Sequence, residues 1–291
     1  MAKIKFGMMV NYSPSSESNA RLETLFATAA EIGVDSLMIN MCVTDELKNE
    51  LLAQIDTIKG FTKKYGVEIN ALWASWGAPC FWNFYEGQST IGLIPPEYRS
   101  RRMKIMLNAS EVAEALGVKY IVTHCGYIPE NPLDPVYTSF IAMMKHICNV
   151  YKSRGQWFCL ETGQETPLTV LRAIQDIGTG NVGVNLDTAN LILYGKGNPV
   201  DALRLIGDYV KCLHLKDGYW PTDCYKHGLQ CQIGEGDVDF PAVIKGLNEH
   251  GYRGHFTIER EVENSDEAKR DIKASKEMFM DLTAQYEWDP E

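Results

Sequence analysis

Short, nearly continuous apolar runs recur along the chain: IKFGMMV, VDSLMIN, VEINALWAS, VKYIVTHC, WFCLETG, VGVNLDT, VKCLHLKD and HFTIERE. A half-exposed strand alternates apolar and polar residues, whereas an unbroken apolar run of this length marks a parallel strand covered on both faces. The intervening segments space their apolar residues as helices do. SNARLETLFATAAEIG runs from Ser18 to Gly33, and PPEYRSRRMKIMLNASEVAEALG opens on Pro95 and Pro96 and closes on Gly117. In TPLTVLRAIQDIG, Thr166 stands as an N-cap before Pro167. A helix-ending Gly followed by a β-branched residue announces strands in EIGVDS, KYGVEI and ALGVKY.

Strand and helix alternate without a linker-like stretch, which leaves an open doubly wound sheet or a closed barrel. No G-x-G-x-x-G follows the first strand, which weakens the nucleotide-binding open sheet. The count of strands favours a single (β/α)8 TIM barrel over residues 1–291, an α/β fold whose outer ring is closed by a polar C-terminal helix, 264–286. The length of 291 residues accommodates one such barrel. Two connections are long, WGAPCFWNFYEGQSTIGLI after the third strand and GYWPTDCYKHGLQCQIGEG after the seventh. Long barrel loops tend to carry function.

Composition narrows the choice of partner. Twenty-eight basic against 38 acidic residues give a formal charge of -10, and the only basic cluster is the short YRSRRMK around Arg101. A grip on a nucleic-acid backbone calls for a basic stripe, so nucleic acid is not an expected partner. The opening MAKIKFGMMVNYSP has too short an apolar run for a signal peptide, and no stretch reaches the length of a membrane span. Eight cysteines occur without a C-x-x-C pair; Cys42, Cys125, Cys159 and Cys212 sit in strand-like runs and read as reduced, buried thiols. The expected location is cytoplasmic.

In a barrel of this kind the site lies at the carboxyl ends of the strands. There the fifth to eighth runs place Glu161, Asp187, His214 and Glu259. Three carboxylates brought together without a cation repel one another. A divalent ion removes that conflict, and three oxygen donors with one imidazole suit Mn2+ first, with Mg2+, Co2+ or Zn2+ as alternatives. This reading explains why VKCLHLKD ends an apolar run on an imidazole.

The same residues carry a family resemblance. LETG, LDTAN, HLKD, GEGDVDF and GYRGHFTIERE, set in the eightfold pattern, resemble the xylose-isomerase-like barrels of sugar phosphate isomerases and epimerases. That group includes ketose 3-epimerases, inosose dehydratases and hydroxypyruvate isomerases, with endonuclease IV more distant. The resemblance covers almost the whole chain and is strongest from about residue 155 to 262. It implies that Glu161, Asp187, His214 and Glu259 are metal ligands, and that Glu161 and Glu259 are also the acid/base pair. Two positions depart from the ketose 3-epimerase pattern: Asn190 stands where D-x-x-H has its histidine, and Trp220 where an arginine is usual. Endonuclease IV needs further metal-binding histidines; this chain has six in all and no D-x-H after the seventh strand.

The expected activity is epimerisation or isomerisation of a keto-sugar through an enediolate. The same enolate also permits a lyase or dehydratase acting on a 3-oxo-glycoside or inosose. A sugar-binding subunit needing a partner chain is a third reading. His124, Lys216, Asn190, Trp73, Trp76 and Trp220 are expected to contact substrate, with Phe81 and Trp82 adding to the aromatic mouth. Glu165, Asp217, Arg260 and Glu261 are expected to orient the ligands. No Gly-rich phosphate cradle is evident, so a free keto-sugar or keto-glycoside suits the site at least as well as a sugar phosphate. The resemblance also implies a homo-oligomer, with a hetero-oligomer as the alternative.

Overall fold

The computed structural model describes residues 4–14, 18–261 and 265–288. Eight parallel strands close on themselves: β1 (Phe6–Asn11), β2 (Ser36–Met41), β3 (Glu68–Ala74), β4 (Tyr120–Thr123), β5 (Trp157–Glu161), β6 (Val182–Asp187), β7 (Val210–Leu215) and β8 (Phe256–Ile258). Neighbours follow chain order round the barrel, and β1 pairs with both β2 and β8, so no edge is left open. The expected (β/α)8 barrel is thus the fold observed.

Alternation along each strand sends every second side chain toward the barrel axis. Register then decides which of these meet. Glu161 pairs with Asn185, Asp187 with His214, and His214 with Thr257. One layer below the mouth, Met38, Ala71, Trp73, Val122, Cys159 and Cys212 form a small apolar plug. Lower still the axis is polar: Asn70 Nδ2 donates to Ser36 Oγ and Thr257 Oγ1, both at 3.0 Å. Gly7 leaves room for that layer, because a Cβ there would lie 2.7 Å from Ser36 Oγ. The larger apolar core fills the space between strands and helices.

The helices end as the sequence signals. Gly117 and Gly178 take left-handed conformations after helices Pro96–Leu116 and Pro167–Ile177, and Thr166 Oγ1 caps the latter by accepting from Thr169 N. The C-terminal helix is shorter than expected, Ser265–Thr283, and Asn264 lies outside the described residues. Its end is set from outside the helix: the Trp288 indole donates to the Thr283 carbonyl at 2.9 Å while packing edge-on against Phe256. A one-turn ribbon, Asp217–Gly218 with Gln230–Cys231, folds the long loop after β7 back over the mouth. Asp217 anchors it, accepting from the N–H groups of Gly218, Gly234, Gly236 and Val238. Among the described residues no helix is long and apolar enough to cross a membrane.

Candidate metal centre and active-site cavity

The ends of β5 and β6 are each fixed by the residue that follows the strand-end carboxylate. Thr162, after Glu161, donates to the Asp187 carbonyl and accepts from the Asp187 N–H. Thr188, after Asp187, makes the same reciprocal pair with Lys216. The E-T and D-T dipeptides therefore stitch β5 to β6 and β6 to β7 where the chemistry lies. Glu259 is placed by its own N–H, which donates to the Leu215 carbonyl at 3.0 Å.

The result is a buried group. One donor atom from each of Glu161, Asp187, His214 and Glu259 lies within 4.8 Å of every other, and both Asp187 and His214 are fully buried. His214 Nδ1 is 3.0 Å from Glu161 Oε1, 3.0 Å from Glu259 Oε2 and 3.9 Å from Asp187 Oδ2. A single N–H cannot serve three carboxylates. Its other nitrogen, Nε2, lies 2.9 Å from Met38 Sδ, so that with a cation in place of the Nδ1 proton the ring would keep its remaining proton on Nε2, against the thioether.

The buried oxygens carry the same message. Asp187 Oδ1 accepts from the N–H groups of Ala189 and Asn190, whereas Oδ2 lies 3.9 Å from the nearest cations and Glu259 Oε2 shares the one His214 nitrogen with Glu161. Burial, with the charges of Glu259 and Glu161, pushes the Asp187 carboxyl well above the usual carboxylate range despite Lys216. Burial alone would raise Glu259 too, but the Lys216 and His214 cations hold it well below that range. Burial would lower His214, yet Glu259 and Glu161 outweigh it and draw a proton onto the ring. A divalent cation satisfies these oxygens and takes the place of that proton, so these four residues fit a metal.

The neighbours expected at the mouth are largely there. Lys216 Nζ reaches Glu261 at 2.9 Å, Glu259 at 3.5 Å and Asp187 at 3.9 Å. His124 Nε2 is 3.7 Å from Glu161 Oε1, and burial keeps the ring's pKa below its ordinary value. The Trp73 indole N–H donates to Glu161 Oε2. Trp73 and Trp82 both meet the His124 ring, and Trp76 packs against each of them. Asn190 is buried beside Asp187. These residues open on one cavity of about 820 Å3 at the mouth.

Trp220 is not brought there. It is 47% exposed, stands outside the cavity lining, and is held through its backbone N–H by Asp237. Of the expected supporting residues, Glu261 pairs with Lys216, Arg260 with Asp271 at 2.7 Å, and Asp217 anchors the loop ribbon. Sequence reasoning missed His227 and Gln230, which line the cavity, and Met38, the partner of His214. The two loop residues carry no periodic signal. Met38 could have been found from alternation, since it faces the barrel axis from β2.

Comparison with known proteins agrees with this arrangement. The family model described as xylose isomerase-like TIM barrel matches residues 26–282. A xylose isomerase domain protein from Planctomyces limnophilus superposes with a TM-score of 0.87 at 26% identity, covering 98% of this chain and 99% of that one. A D-psicose 3-epimerase from Clostridium cellulolyticum H10, solved with D-tagatose, gives 0.71 at 15% identity over 96% and 99%. A 3-keto-D-glucoside 4-epimerase from E. coli gives 0.65 at 18% over 95% and 100%. With the barrel closed, the four strand-end residues gathered and most of the chain matched, the protein belongs to the xylose isomerase-like TIM barrel family.

Proposed function

We propose that the protein is a divalent-metal-dependent epimerase or isomerase of a keto-sugar, acting through an enediolate, with Mn2+ as the first candidate metal. The observation that carries this reading is the meeting of Glu161 and Glu259 at one imidazole nitrogen, each 3.0 Å from His214 Nδ1. Glu161, Asp187, His214 and Glu259 would hold the ion. When bound, a divalent ion supplies Lewis acidity that polarises a substrate carbonyl and offsets the charge of an enediolate.

Glu161 and Glu259 project from strands three places apart round the barrel and both face the cavity. One removes the proton α to the carbonyl and the other returns one to the substrate. Each positioned acid or base contributes roughly 10²- to 10⁴-fold. Lys216, buried yet kept charged by Glu259, Asp187 and Glu261, is placed to stabilise the developing oxyanion. His124 is placed to hold a substrate hydroxyl, and the Trp73 and Trp76 faces to stack on the sugar.

The named relatives support the class, since two of them are epimerases of keto-sugars or keto-glucosides. The test is deuterium incorporation from D2O with Mn2+ present, over ketoses, ketose phosphates and 3-oxo-glycosides. Incorporation α to the carbonyl is expected in the wild type and a loss of at least about 10²-fold in Glu161→Gln and Glu259→Gln. A released aglycone or water in place of an epimer would assign the lyase outcome. Absence of exchange with every substrate, with metal bound, would refute an enediolate enzyme.

A further inference from the structure

The one basic cluster of the chain, YRSRRMK around Arg101, has no part in the reaction above. Its arginines lie at the start of the helix Pro96–Leu116, and they spend their donors on main-chain carbonyls. Arg99 donates to Leu93 O at 3.2 Å and to Ile94 O at 2.5 Å, and Arg101 donates to Ala78 O. Arg102 reaches Gly92 O at 2.6 Å through Nη1 and Pro79 O at 2.7 Å through Nη2. One guanidinium thus joins the outgoing and returning limbs of the loop after β3. Arg102 is fully buried over the rings of Tyr98 and Trp76, and among the described residues no carboxylate pairs with it. A buried cation without a counter-ion is costly. A planar fork that serves two fixed acceptors at once explains why an arginine stands there.

The loop closed by this fork crosses the mouth. β3 and β7 stand opposite each other in the ring of eight strands, yet the tip of the β3 loop touches the loop after β7. Phe84 meets His227 edge-on with centroids 4.1 Å apart, and the Tyr85 and Tyr225 rings lie parallel at 6.5 Å. The span is braced from within. Asn83 Oδ1 accepts from the N–H groups of Tyr85 and Glu86, while Thr90 Oγ1 accepts from Phe81 N and donates to Glu86 O. Its inner face carries Cys80 and Trp82 into the cavity lining. The Trp82 ring lies 5.4 Å from His124 and 6.0 Å from Trp76, so neck and tip together fix where that wall stands relative to the candidate metal ligands.

We infer that residues 79–92 form a strap across the barrel mouth, and that Arg102 is a positioning residue that holds the strap at its neck while Phe84 and Tyr85 hold its tip. The strap keeps the Trp82 ring against His124 before any substrate enters. A sugar then meets an aromatic wall that binding does not have to order. That consequence for substrate binding rests on the keto-sugar reading above; the strap itself does not.

Two measurements on the full-length chain with Mn2+ separate this inference from the reaction itself. In the first, amide hydrogen exchange and near-ultraviolet circular dichroism are recorded without substrate for the wild type, Arg102→Lys and Tyr85→Ser. Lysine keeps the charge but not the planar fork, and Tyr85 is 71% exposed, so its loss leaves the core intact. Amides within residues 80–91 are expected to exchange at least about tenfold faster in both variants, with those of β5 to β8 unchanged and the tryptophan band reduced. Unchanged exchange in residues 80–91, or faster exchange throughout the barrel in Arg102→Lys with Tyr85→Ser like the wild type, overturns the strap. In the second, KM and kcat are measured on whichever compound of the panel above exchanges fastest. KM is expected to rise about fivefold in both variants with kcat within about twofold of wild type; a fall in kcat at constant KM overturns the positioning role. Absence of turnover on every compound defeats the enediolate reading alone, because amide exchange and the tryptophan band decide the strap and the hold of Arg102 on it.

Discussion

His214 faces carboxylates with one nitrogen and a thioether with the other. Replacing Met38 by Leu keeps the volume but removes the sulfur that orients the ring. Metal affinity is expected to fall about 10- to 100-fold, measured by competition with a chelator, with the circular dichroism spectrum unchanged. Glu165 gives a prediction of a different kind. Its carboxyl is buried, and burial, opposed by backbone hydrogen bonds at Glu165 and Gln164 and by Lys196 and assisted by Glu161, pushes its pKa up to about 8. The folded protein therefore holds a proton there that the unfolded chain releases above its ordinary carboxylate pKa. Stability from this group is present in acid, declines as pH rises past that value and levels off above the folded pKa. Glu165→Gln, which cannot ionise, should raise the denaturation midpoint at about pH 9 relative to wild type and change it little at about pH 5; an equal change at both would sink the assignment. That Glu161, Asp187, His214 and Glu259 would meet was legible in the sequence because a parallel barrel presents its strand ends at one mouth. Trp220 was misplaced because the course of a long loop, here dictated by Asp217 and Asp237, leaves no trace in local pattern.

At the level of elements, the eight strands were readable because burial on both faces forces an unbroken apolar run. Loop crossings were not. Residues 91–94 pass directly over the end of β4: Leu93 and Ile94 both donate to the Cys125 carbonyl, and a Cβ on Gly92 would sit 2.1 Å from the Cys125 backbone. Gly117 has a similar left-handed conformation, yet nothing lies within 4 Å of its absent Cβ. Gly117→Ala should therefore cost about 1–2 kcal/mol, the backbone strain alone. Gly92→Ala should cost more than about 4 kcal/mol, since a clash with backbone is added to the strain. Chemical denaturation of the two variants compares them directly, and similar losses would contradict the crossing. The same physics explains the shortened C-terminal helix: helical periodicity continues past Thr283, but the Trp288 indole, committed to the barrel floor, claims the terminal carbonyl.

For the molecule as a whole, a cation that binds the folded barrel and not the open chain stabilises it by mass action. At a metal concentration of about 100 times Kd this amounts to about 2.7 kcal/mol, or several degrees in Tm for a chain of this size. Chelation should lower Tm by that amount in the wild type, and Asp187→Asn should show little response to either metal or chelator. A wild-type Tm indifferent to chelator would argue against a metal at this site. The four candidate ligands stand on consecutive strands, β5 to β8, within residues 161–259. The second half of the chain therefore supplies all four candidate ligands, while the first half supplies side chains that contact them, Met38, Trp73 and His124. Laboratory evolution can exploit that division of labour. A library confined to Asn11, Asn40, Trp76 and Trp82, all lining the mouth, can retune which molecules are admitted while every candidate metal ligand stays in place.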